Sequence, residues 1–158
     1  MWFTSSVAKT RARTFGAAQY LRNQGAVPSD AKQFFSGSFD EFAREARFEA
    51  KMKMYREHLV IAVNDADDNT PADRVTGAKV ADKLLDLEGV QASFAMLRIG
   101  EDVYISARSE GKINVQIIMG HLGGGGAYDS SAAQLKDTTL EDAAVALKEA
   151  IDKYYSED

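Results

Sequence analysis

Apolar residues recur at helical spacing over the first third of the chain and then give way to short continuous runs. Residues 10–24 carry Phe15, Ala18 and Leu21 on one helical face, and Gly25 follows as a stop. Pro28-Ser29-Asp30 opens a short second helix through Phe34 and Phe35. Ser38 with Glu41 forms a capping box, which predicts a long helix from Phe39 to about Glu57. Phe39, Phe42, Ala43, Ala46, Ala50 and Met54 are its expected inward face.

The pattern changes at His58. Leu59-Val60-Ile61-Ala62-Val63 reads as a buried strand, and residues 64–71 as an acidic turn. Residues 73–87 read as a helix with Val75, Val80, Ala81, Leu84 and Leu85, closed by Gly89. Residues 90–98 and 103–108 read as a hairpin around Ile99-Gly100-Glu101-Asp102. A short apolar helix is expected at 113–122 and an extended strand at 130–135. A last helix follows a Thr138/Glu141 capping box and runs to about Tyr155, with Leu140, Ala144, Leu147, Ile151 and Tyr154 inward. The order is three helices, then β-α-β-β-α-β-α. This predicts an α/β fold, a small mixed sheet flanked by helices, preceded by a helical N-terminal arm. The expected boundary divides residues 1–57 from residues 58–158.

The composition narrows the chemistry. A chain of 158 residues fits one domain with an appendage. The formal net charge of −5 gives no global field that attracts long nucleic acid, so a phosphate ligand must be held by local geometry. There is no cysteine, which excludes disulfides, thiolate metal sites and cysteine nucleophiles and fits a cytoplasmic location. Met1-Trp2-Phe3-Thr4 lacks the regions of a signal peptide, and no apolar run approaches membrane-spanning length.

The most informative local feature is the run Gly123, Gly124, Gly125 and Gly126, downstream of Ser106-Ala107-Arg108-Ser109. Glycines allow positive φ and bring bare N–H groups close to a ligand, and successive N–H groups form a concavity for anions. Arg108 at a strand end would add a charged fork for the same phosphate, with Ser106 beside it. The competing readings are a flexible connector for the glycines, a surface ion pair with Glu110 for Arg108, and a helix cap for Asn114. Asp65, Asp67, Asp68 and Asn69 suggest a calcium loop. The sixth and twelfth positions, however, are Thr70 and Thr76 where glycine and glutamate are required. His58 and His121 are far apart and read as helix-end residues. Lys9, Arg11 and Arg13 read as a solvated basic cluster.

The stretch from Ser106 through Gln116, followed by Leu122, the four glycines and Ala132-Ala133-Gln134-Leu135, resembles the DHHA1 domain of DHH-family phosphoesterases. It is most similar to that of bacterial cyclic-di-AMP phosphodiesterases. Arg13-Thr14-Phe15, Ala17-Ala18, Tyr20-Leu21-Arg22 and Gly25-Ala26 resemble the end of the preceding DHH domain, and Gly89 to Phe94 also fits. The resemblance implies a phosphodiesterase that uses two divalent metals, usually manganese, held by aspartates and histidines of the DHH domain. This sequence has no Asp-His-His, and the family's last metal-binding aspartate falls near Trp2 or Phe3. The expectation is therefore a substrate-binding piece, inactive alone, whose partner is the missing DHH domain of a parent protein membrane-anchored through segments absent here.

Under this reading Ser106, Arg108, Asn114 and Gly123 to Gly126 bind a cyclic dinucleotide or short nucleotide, and no residue of this chain binds metal or does catalysis. The family usually places histidine after its glycines, where this chain has Ala127, and asparagine where it has Ser130. Two alternatives accompany this reading. One is the DHHA1 part of a short-RNA nuclease or exopolyphosphatase. The other is a non-catalytic interaction module, dimeric through the amphipathic helix that begins at Phe39.

Overall fold

The computed structural model describes Asn23 and residues 38–157; Asn23 is helical. The helices expected over 10–24 and 28–35, the basic cluster at Lys9, Arg11 and Arg13, and Trp2 and Phe3 otherwise fall outside the described residues. Among the described residues the elements are α1 (Phe39–Glu49), β1 (Lys53–Tyr55), β2 (Leu59–Asn64), α2 (Pro71–Leu84), β3 (Ala92–Ile99), β4 (Asp102–Ser109), α3 (Val115–His121), β5 (Gly125–Gly126), β6 (Ser130–Leu135) and α4 (Leu140–Ser156). Four helices flank one mixed six-stranded sheet, confirming the α/β expectation, in the order β1-β2-β3-β4-β6-β5. Residues 40–158 form a compact unit. Among the described residues no helix is long and apolar enough to cross a membrane.

The sheet order follows from the hydrophobic pattern. β2 and the first six residues of β3 are apolar almost throughout and largely buried, as interior strands covered on both faces must be. They pair in parallel, Leu59 with Ala92 through Asn64 with Leu97, and α2 supplies the crossover that a parallel pair requires. β4 alternates partly and fully buried positions along its length, so only one of its faces is fully covered. The β3–β4 hairpin forms where expected: Ile99 pairs with Asp102, and Gly100 takes the positive φ of 62° that the first position of a two-residue loop favours.

Two cores result. On one face α3 and α4 pack over Phe94, Met96, Ile105, Ile118, Leu147 and Ile151. On the other, α1 and α2 pack over Val60, Ala95 and Leu97 through Phe48, Val80 and Leu84. Thr139, rather than Thr138, caps α4 by accepting from the Asp142 N–H at 3.1 Å.

Two expectations about the first described helix are corrected. It ends at Glu49 instead of about Glu57, and the segment after it forms β1, which lies antiparallel on β2 with Lys53 opposite Ile61. Met54 lies at helical spacing from Ala50 in the sequence, but edge pairing with β2 and a turn through Arg56 at φ 52° override that period. The predicted inward residues Phe39 and Phe42 are exposed, and Phe48 alone of the helix is buried. α1 sits on α2 by charge: Glu41 pairs with Lys79, Glu49 with Lys83 at 2.7 Å, and Arg44 lies 3.8 Å from Asp73. The two exposed lysine pairs contribute about 0–1 kcal/mol each, whereas the Asp73 carboxylate facing Arg44 is buried. The Phe48 ring, fully buried, contributes about 2–3 kcal/mol and anchors the helix.

Candidate phosphate-binding groove

α1 and α2 cover their face of the sheet over β2 and β3 but leave β4 and β6 partly open. β4 alternates, so Val103, Ile105 and Ala107 enter the α3–α4 core while Tyr104, Ser106 and Arg108 point to the open side. The result is a groove of about 690 Å³ bounded by α2, β4, β6 and the glycine strand β5. That volume lies within the range of small-ligand sites. Among the described residues its charged lining is Arg74 of α2 and Arg108 of β4, with no carboxylate. On a chain of net charge −5 this is a local cationic depression.

The structure brings Ser106, Arg108, Gly124 and Gly125 together in this groove. Asn114 goes elsewhere: its Oδ1 accepts from the Gln116 N–H at 3.1 Å as the cap of α3, and its own N–H donates to the Tyr154 hydroxyl on the α3–α4 side. Gly123 and Gly126 do not line the groove.

Arg108 does not pair with Glu110. Its Nε donates to Asp82 Oδ1 of α2 at 3.1 Å and its Nη1 to the Ala107 carbonyl at 2.9 Å. These two bonds fix the guanidinium plane while Nη2 keeps its donors free among the described residues. Ser106 and Ser130 also line the groove, and the Ser106 hydroxyl makes no hydrogen bond among the described residues.

The glycine run closes α3 and starts β5. Gly123, at φ 75°, donates to the Gly120 carbonyl at 3.0 Å, and Gly124 donates to the Met119 carbonyl at 2.8 Å. This pair of bonds is the Schellman end of a helix. At least two of the four amides are therefore committed within the chain. Gly124 also lies so close to β6 that a Cβ would sit 2.2 Å from the Ala132 carbonyl oxygen. Absence of a side chain thus lets β5 lie against β6, with Gly125 opposite Ala132 and Gly126 opposite Ser131. The Ala127 N–H donates to the Ser130 carbonyl at 2.8 Å and closes this hairpin.

Arg74 and Tyr104 are groove residues that sequence reasoning missed. Arg74 Cζ stands 4.3 Å from the centroid of the Tyr104 ring. A signal for Tyr104 was available, since it lies two and four residues before Ser106 and Arg108 on one alternating strand. Arg74 reaches the groove only through the packing of α2, which no local pattern announces.

The family model for the DHHA1 domain matches residues 58–157. This chain belongs to the DHHA1 domain family. Over 148 residues, 93% of its length, it is 42% identical to the cyclic-di-AMP phosphodiesterase PdeA of Listeria monocytogenes and 39% identical to the cyclic-di-AMP phosphodiesterase GdpP of Bacillus subtilis. It spans 22% of the length of each of these relatives. Among solved structures it is similar to an exopolyphosphatase-related protein from Bacteroides fragilis, with a TM-score of 0.75 at 19% identity, covering 92% of this chain and 44% of that one. That likeness is one of fold. The chain is thus a DHHA1 domain of the DHH-family phosphoesterases, related to cyclic-di-AMP phosphodiesterases.

The groove of this DHHA1 domain does not fit a metal. Among the described residues no three His, Asp or Glu side chains converge as a ligand set. His58 lies before β2, not at a helix end, and its Nε2 is 2.6 Å from the Tyr155 hydroxyl; His121 ends α3, with Nε2 3.5 Å from Glu157. In the acidic turn, hydrogen bonds from Lys51 and Arg47 hold Asp65 and Asp68 below the usual carboxylate range.

Proposed function

We propose that this chain is the ligand-holding lobe of a metal-dependent phosphodiesterase that acts on cyclic-di-AMP or its linear product. Arg108 receives a phosphate on its free edge, Ser106 donates its hydroxyl beside it, and the bare backbone at Gly125 lets the ligand approach without steric cost. Asp82 holds the guanidinium in place before the ligand arrives, so little ordering is left to do on binding. Binding energy gathered here positions a scissile bond on a DHH lobe that carries two divalent metals, manganese among the candidates. None of the chemistry at those metals involves the groove residues, and the chain alone is inactive. The parent enzyme is cytoplasmic on its DHHA1 side.

The single observation that carries this reading is a groove lined, among the described residues, by two arginines and no carboxylate on an acidic chain. The similarity to two cyclic-di-AMP phosphodiesterases supports the nucleotide over other anions. Calorimetric titration of the chain with linear pApA, cyclic-di-AMP and tripolyphosphate tests it. Binding of a dinucleotide that Arg108→Ala removes is expected; tripolyphosphate as the preferred ligand would favour an exopolyphosphatase role. Turnover of cyclic-di-AMP by the pure chain with manganese would overturn the inactivity.

A second reading, an interaction or dimerisation module, is favoured by Phe39 and Phe42, which are 83% and 68% exposed. It predicts a concentration-dependent oligomer that Phe42→Ser disperses and no change in melting temperature with nucleotide.

A further inference from the structure

Among the described residues Arg74 is the groove cation without an acidic partner. Arg108 is partly neutralised by Asp82, whereas Arg74 makes no ion pair or hydrogen bond among the described residues. Its position is nevertheless defined. The Tyr104 ring packs against the Phe48–Val80–Leu97 core at its base, and the Arg74 guanidinium lies over that ring with Cζ 4.3 Å from the centroid. Both side chains line the groove that holds Ser106 and Arg108. Tyr104 sits on β4 in register between Leu97 of β3 and Gln134 of β6, and Arg74 belongs to the first turn of α2. A guanidinium is planar, and one held over an aromatic ring turns its outer face toward whatever enters. That surface is flat, cationic and next to a phosphate-binding fork. Flat π systems stack on such planes, and phosphates do not need them.

We infer that the stacked Arg74–Tyr104 pair is the platform on which a nucleobase lies, so that the groove selects nucleotides over base-free phosphates. This rests on the groove being the ligand site proposed above. Arg108 holds the phosphate and Arg74 with Tyr104 reads the presence of the base; neither touches the bond that breaks.

The test compares 5′-AMP with ribose 5-phosphate, two ligands that differ only in the base, by NMR titration of the full chain. The unsubstituted protein is expected to prefer 5′-AMP by about tenfold or more, the usual weight of one stacked base. Arg74→Lys keeps the charge and removes the plane. It should bring the preference below about threefold by weakening 5′-AMP much more than ribose 5-phosphate. Tyr104→Leu, which keeps apolar bulk over the core, should act in the same direction. Retention of the preference in Arg74→Lys overturns the inference, and so does equal weakening of both ligands, which would mark Arg74 as a second phosphate clamp. Equal binding of both ligands by the unsubstituted chain, lost in Arg108→Ala, removes the base platform and leaves the ligand-holding function standing. No binding of either ligand removes both.

Discussion

Arg108 of β4 reaches across the groove wall to Asp82 of α2, Nε to Oδ1 at 3.1 Å, and so ties the open half of the sheet to the crossover helix. The carboxylate holds the guanidinium plane and also competes with an incoming phosphate for its charge. Arg108→Ala should reduce nucleotide binding at least tenfold, because a charge-assisted bond to phosphate contributes about 1.5–3 kcal/mol. Asp82→Asn keeps the shape and removes the competing charge. It should strengthen binding about two- to fivefold, a gain that shrinks at high salt because Asp82 is exposed. Calorimetry at two ionic strengths reads both effects, and weaker binding in Asp82→Asn would show that orientation outweighs charge.

Adjacent glycines of the run should respond differently to one methyl group. At Gly124 a Cβ would meet the Ala132 carbonyl oxygen at 2.2 Å, and the obstacle is backbone that can move only if β5 leaves β6. At Gly125 a Cβ meets nothing within 4 Å. Gly124→Ala is therefore expected to cost about 2 kcal/mol or more, and Gly125→Ala to fall within about 0.5 kcal/mol of the parent. Denaturant midpoints check the pair; equal losses would mean that β5 does not lie against β6 as described.

Phe48 is the anchor of α1. Its ring is fully exposed to no solvent, and its Cζ lies 3.3 Å from where a Gly77 Cβ would stand. Phe48→Ala should cost about 3–5 kcal/mol, because the ring's cavity cannot collapse between two helices and the sheet. Phe42→Ala, at an exposed site, should change stability by less than about 0.5 kcal/mol. Urea unfolding of both variants distinguishes this from the face the periodicity alone suggests.

Asp152 of α4 accepts from Arg56 Nη2 at 2.7 Å and from the Tyr55 hydroxyl at 2.9 Å, clamping the β1–β2 turn onto the last helix. The Arg56 bond, then the Tyr55 bond, hold the Asp152 carboxyl below its usual range. A depressed carboxylate contributes stability that is present above its unfolded value, about pH 4, and is lost as pH falls through the folded value. The chain should therefore lose stability on acidification below about pH 4, by an amount limited by solvent exposure of the pair. Asp152→Asn should flatten that part of the acid limb while leaving the rest. An unchanged acid limb in this variant would place the acid sensitivity elsewhere.

Some of this molecule could be read from neighbouring residues alone. The apolar run of β2, the strands and turn of the Gly100 hairpin, the short helix α3 and the strand β6 each depend on spacing within a few positions, and these took the expected form, whereas the glycine run ended α3 and formed β5. The pairing of Ser106 and Arg108 on one face followed from the two-residue period of a strand. β1 was hidden because its Met54 continued a helical period, and the edge of β2 outweighed that period. Asn114 proved to be the cap of α3, a role open to any asparagine at that place in a helix.

The sequence by itself determined the order and kind of most elements, the family, and the presence of an arginine and a glycine run near each other. These rest on short-range sterics and side-chain alternation. Only the tertiary structure decided that Phe48 faces the core in place of Phe39 and Phe42, that Asp82 holds Arg108, that Arg74 covers Tyr104, and that Gly123 and Gly124 direct their N–H groups to α3. The first three join segments far apart in the chain, and the last turns on how α3 ends against β6. Each is fixed by how helices seat on the sheet, which no local pattern encodes.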